Sequence, residues 1–74
     1  NIVEKQWICD YILYNLNISK QDKYVSSLKL DSKTDDIKDL VNQVKYKFQK
    51  QNDNEIYDLI IKKFNEGELG NITF

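Results

Sequence analysis

Residues 45 to 50 read KYKFQK, three lysines interleaved with a tyrosine and a phenylalanine. Ammonium groups meet phosphates as point charges and aromatic faces stack on bases, so this spacing is a candidate for gripping a nucleic-acid strand. Helical geometry qualifies the pattern, because neighbouring residues point about 100° apart and Phe48 falls on a core stripe. The same lysines also suit a helix C-terminus, where the backbone dipole favours cations. Lys62 and Lys63 repeat the arrangement farther along. The expectation is that Lys45, Lys47, Lys50, Lys62 and Lys63 supply phosphate contacts from two helix ends brought near each other.

Other chemistry finds less material. With no histidine in the chain, a general base near neutral pH would need a strongly shifted carboxylate or lysine. Cys9 is the only cysteine; without an imidazole to activate it, it reads as a small buried hydrophobe, and it cannot form an internal disulfide. Gly67 and Gly70 are the only glycines and lack the Gly-Lys-Ser/Thr run of a phosphate-cradling loop. Asp31, Asp35, Asp36 and Asp39, then Asp53, Glu55 and Asp58, form acidic clusters without the alternating ligands and central glycine of a calcium loop. Helix capping accounts for both. Neither a metal nor a cofactor is expected in this segment, and no catalysis.

The elements that would position these residues are helices. In residues 2 to 16 the spacing of Val3, Trp7, Ile8, Tyr11, Ile12 and Leu16 predicts one apolar face, extended by Cys9 and Leu13. Glu4, Lys5, Asp10 and Tyr14 then face water, and this helix is expected to be the most buried. Trp7 and the tyrosines read as core rather than as stacking platforms. Ser19 and Asp22 resemble a capping box before a short helix with Tyr24, Val25 and Leu28 inward. Ser32 or Thr34 is the expected cap of the next helix, with Asp35, Asp36 and Asp39 at its positive end. Its inward stripe is Ile37, Leu40, Val41, Val44 and Phe48. Asp53 or Asn54 should cap the last helix, whose core residues are Ile56, Tyr57, Ile60, Ile61 and Phe64. Gly67 suits the left-handed residue that closes a helix, with Leu69 folding back. Gly70 permits a second turn, after which Ile72 and Phe74 return as an extended tail. The expected fold is all-α: a single domain over residues 1–74, a small bundle of three to five helices with a short extended C-terminal tail.

Bulk properties agree with such a domain. At 74 residues, 41% hydrophobic and 31% charged, the chain is globular in composition but small enough that its core supplies only about 3–5 kcal/mol. A net charge of −1 gives no global field toward nucleic acid or membrane. Every basic residue is lysine, a usage that suits AT-rich coding. No apolar run is long enough for a membrane span. The start at Asn1, without methionine, suggests a fragment or processed product.

The stretch DNEIYDLIIKKFNEGELGNITF resembles the C-terminal end of circularly permuted GTPases of the ribosome biogenesis GTPase A (YlqF) type. These finish with an aspartate, an apolar helix, a Gly-x-Leu-Gly turn and a short Ile/Leu-Thr-Phe-like tail. The matching positions are Asp53, the helix from Ile56 to Phe64, Gly67, Leu69, Gly70, Ile72, Thr73 and Phe74. Upstream, QWICDYILYNL looks like the family's helix after the GTPase domain. Asn71 stands where the family often has a basic residue.

The resemblance implies the C-terminal domain of a longer GTPase, whose GTP-binding domain, with its GTP and Mg2+, is not in this chain. It implies a part in large ribosomal subunit assembly, the helical domain contacting rRNA on the immature particle. The implied setting is intracellular: bacterial cytoplasm, or a mitochondrion or plastid. The alternative is a helical interaction module whose exposed aromatics dock a partner helix or the parent GTPase domain, with no RNA role.

Overall fold

A computed structural model describes the backbone of residues 2–70 and the side chains of residues 3–70. Within them the chain forms four helices and no strand: α1 (Ile2–Ile18), α2 (Lys23–Ser27), α3 (Ile37–Lys47) and α4 (Asp53–Asn65). The all-α bundle is as expected. Ile72, Thr73 and Phe74, assigned to an extended tail, lie outside the described residues.

Helices α1 and α4 form the centre and run in the same direction. Lys5 bonds Asn54 and Asp58 near their starts, at 3.1 and 2.9 Å, and Cys9 meets the Tyr57 carbonyl one turn on. Helix α3 packs back across both. The core interleaves Cys9, Ile12, Leu13 and Leu16 of α1 with Leu40, Val41 and Val44 of α3 and Ile56, Tyr57 and Ile60 of α4. Tyr24 of α2 and Leu28, the residue that ends it, close the core. The inward stripe of α3 stands as expected, except that Phe48 is half-buried at the position that ends the helix.

The inward face of α1 differs from expectation. Val3, Trp7, Ile8 and Tyr11 are exposed, Trp7 by 69%, and the buried face is Cys9, Ile12, Leu13 and Leu16. Helix α1 is apolar nearly all round, so two faces satisfy the three-and-four spacing and periodicity alone does not choose between them. What chooses is α4, against whose start Lys5 and Cys9 are turned. Helix α1 is therefore the helix with the largest exposed apolar surface, not the most buried one. Trp7, Tyr11, Tyr14 and Tyr46 are exposed, whereas Tyr24 and Tyr57 are core.

Several caps also move. Ser19 and Asp22 form no capping box: Ser19 lies in the turn after α1, and the Asp22 side chain makes no cap bond. Asp36, not Ser32 or Thr34, caps α3, accepting from the Lys38 amide at 2.9 Å, so Asp35 and Asp36 precede the helix. Thr34 instead accepts from the Asp36 amide. Asn52 caps α4 through the Asn54 amide at 2.8 Å. For α3 and α4 a short polar side chain one or two residues away satisfies the same orphan amides.

All four helices end in one way. After α4, the Glu68 amide donates to the Lys63 carbonyl at 2.9 Å and Gly67 to Phe64 at 3.0 Å, with Gly67 at φ 76°. This is a Schellman turn. The same bond pair follows α1, α2 and α3, with Lys20, Lys29 and Gln49 left-handed at φ 58°, 58° and 56°. Glycine at Gly67 is thus the easy instance of a turn that three side-chain-bearing residues also adopt.

Candidate nucleic-acid interface

The α3–α4 corner presents a shallow concavity lined by Lys45, Tyr46, Lys47, Gln49, Lys50 and Gln51. Helix α3 rotates Tyr46 away from the Ile37–Val44 stripe, leaving the residue 82% exposed. The left-handed Gln49 then reverses the chain, and the Lys50 amide bonds the Lys45 carbonyl at 2.9 Å. That turn folds Lys50 back beside Lys45. Outside this concavity, the Lys29 ammonium sits 5.0 Å from the centroid of the half-buried Phe48 ring, a cation–π distance.

Two of these lysines are engaged within the chain. Lys45 meets Asp53 at 2.6 Å and Lys47 meets Asp31 at 3.1 Å. Both pairs are partly exposed, where such contacts contribute only about 0–1 kcal/mol and exchange readily for another anion. Lys50 is exposed and has no ion-pair partner among the described residues.

No family model, curated protein or solved structure matches this chain. The site therefore rests on its own geometry.

Lys62 and Lys63 do not join the corner. Lys45 bonds the first residue of α4, and Lys62 follows nine residues later, about 14 Å along the helix. The two helix ends expected to meet are instead held a helix length apart, because α3 enters α4 through a short turn. Lys62 is exposed there. Lys63 is largely occupied, donating to Ser27 Oγ at 3.4 Å and lying 3.7 Å from Glu68.

The turn residues Gly67, Leu69 and Gly70 hold the far end of α4 to the body. Leu69 is buried among the core residues, and Lys23 donates to the Gly67 carbonyl at 3.2 Å. Gly70, at φ 119°, lies so close to Gln21 that a Cβ would come within 2.9 Å of its Oε1. Phe74 lies outside the described residues.

Sequence reasoning missed the exposure of Tyr46. Tyr46 was detectable, since it falls outside the stripe of α3. Lys29 lies in the turn after α2, and no local pattern announces its place above Phe48.

Cys9 is fully buried, its Sγ 3.5 Å from the Tyr57 carbonyl oxygen. Burial, reinforced by the Asp58 carboxylate, pushes its thiol up to about 12. At neutral pH it is a neutral thiol with no thiolate character.

Proposed function

We propose that this chain is the RNA-docking helical domain of a GTPase that assists large ribosomal subunit assembly. Docking runs through the α3–α4 corner. The observation that carries the reading is Tyr46, exposed to 82% in a concavity flanked by Lys45, Lys47 and Lys50. A base stacks on the ring while ammonium groups track the phosphates on either side, a sequence-tolerant grip suited to a structured RNA. Asp31 and Asp53 hold Lys47 and Lys45 in place until phosphate oxygens replace them.

The family assignment is supported by the Gly67–Leu69–Gly70 turn. Both glycines have positive φ and Leu69 is buried, so these three residues of the resemblance each have a structural reason to be there. GTP and Mg2+ belong, on this reading, to the parent's other domain, and bacterial cytoplasm or an organelle is the setting. The chain's own contribution is to place the parent on rRNA. No described helix is long and apolar enough to cross a membrane.

The test is binding of tiled large-subunit rRNA fragments, read by fluorescence anisotropy. Tyr46→Ala is expected to weaken the bound fragment by at least about fivefold, the lower end for loss of one stacked base. Lys47→Glu with Lys50→Glu should abolish binding, whereas Lys62→Glu should have a smaller effect. Undiminished binding by the Lys47→Glu/Lys50→Glu chain would refute the corner as the site.

A further inference from the structure

The exposed side of α1 carries a stripe of Val3, Trp7, Tyr11, Tyr14 and Ile18, each between 49% and 69% exposed. Their spacing keeps them on one face, and the fifteen steps from Val3 to Ile18 span about 22 Å. The stripe has two unlike flanks. Toward α4, an open groove is lined by Ile8, Ile61 and Phe64 and is almost wholly apolar. On the other side a second groove holds Asp10 and Asp35 beside Tyr14 and Ile18.

Neither carboxylate has an ion-pair or hydrogen-bond partner among the described residues, and no lysine lines either groove. Asp35 is also positioned by the fold. Its neighbour Thr34 accepts from Asn17 Nδ2 at 2.8 Å, and the Tyr24 hydroxyl donates to Asn17 Oδ1 at 2.7 Å. This network fixes the loop before α3 against the end of α1.

We infer that this face docks a basic amphipathic helix of a partner protein. The partner's apolar side chains fill the α1–α4 groove, and lysine or arginine along one edge meets Asp10 and Asp35 over the Tyr11 and Tyr14 rings. The two carboxylates select the occupant. A second copy of this chain, packed face to face, would set Asp10 and Asp35 against their own kind if antiparallel or against the apolar flank if parallel, whereas a cationic edge completes them. Aromatic faces add to the preference for cations. This surface is separate from the α3–α4 corner.

Trp7 is the only tryptophan, and its emission reports directly on the stripe. The chain is titrated with two 18-residue peptides of identical helical leucine spacing, one with lysine at every polar position and one with glutamate. The lysine peptide is expected to shift Trp7 emission to the blue saturably, and the glutamate peptide to leave it unchanged. Asp10→Asn with Asp35→Asn should weaken the lysine peptide about fivefold, as loss of two exposed charge contacts implies. Both positions are exposed, and an unchanged circular dichroism spectrum verifies the fold. Lys47→Glu with Lys50→Glu should leave peptide binding intact, which separates this inference from the RNA reading. Equal response to both peptides, or full affinity in the Asp10→Asn/Asp35→Asn chain, would overturn it. So would a Trp7 shift that depends on protein concentration alone, the sign of a second copy on the face.

Discussion

Cys9 and Tyr57 show how single residues are altered by the place the fold gives them. The Cys9 thiol is raised from 9.0 to about 12 by burial and then by Asp58. Tyr57 is also raised, by burial first and then by Asp53 and Cys9, against an opposing pull from Lys45. An acid whose folded pKa exceeds its unfolded one keeps its proton longer in the native state. Its contribution to stability is therefore whole below the unfolded pKa and declines as pH rises above it. Between about pH 9 and 12 the folded chain should lose stability, at up to about 1.4 kcal/mol per pH unit for the thiol. Urea unfolding at stepped alkaline pH measures this slope. Cys9→Ala should lower stability at neutral pH through the small cavity it leaves, yet flatten the decline above pH 9. An equally steep decline in Cys9→Ala would assign it elsewhere.

At the scale of the element, the repeated Schellman turn explains why so few glycines suffice. Lys20, Lys29 and Gln49 hold left-handed backbones that cost an ordinary residue about 1–2 kcal/mol each. The cost is met because each reversal satisfies two carbonyls and returns the chain to the core, as where Leu30 is buried after Lys29. Lys20→Gly should accordingly stabilise the chain by about 0.5–1 kcal/mol, the left-handed relief less the added freedom of unfolded glycine. A rise in Tm checks it, and a fall would contradict the account. Elements were legible where local signals agreed. The α3 stripe, the polar caps within two residues and the Gly67 turn follow from side-chain period and backbone rules. The face of α1 was not legible, because Trp7–Tyr11 and Cys9–Leu16 both fit a helical period. Only the contacts of Lys5 and Cys9 with α4 distinguish them. The separation of Lys62 from Lys45 depends likewise on which helix end meets which. Spacing within one helix carries no information about that.

Over the whole molecule, three surfaces are distributed around one core. The lysine-and-tyrosine corner lies where α3 turns into α4, the turn at Leu69 and Gly70 fastens the opposite end of α4, and the aromatic stripe of α1 stands on a third side. A net charge of −1 gives no long-range attraction to RNA, so affinity must come from local contacts. That makes ionic strength the sharpest probe of the RNA reading. Binding of an rRNA fragment, followed from low to high salt, should give a line of log affinity against log salt. Three lysines neutralising three phosphates release counterions condensed on the RNA and imply a slope of about −2.1 for a single-stranded segment, and Lys47→Glu with Lys50→Glu should bring it near zero or eliminate binding. A flat line for the native chain, or the same slope in the charge-reversed one, would contradict docking through the α3–α4 corner.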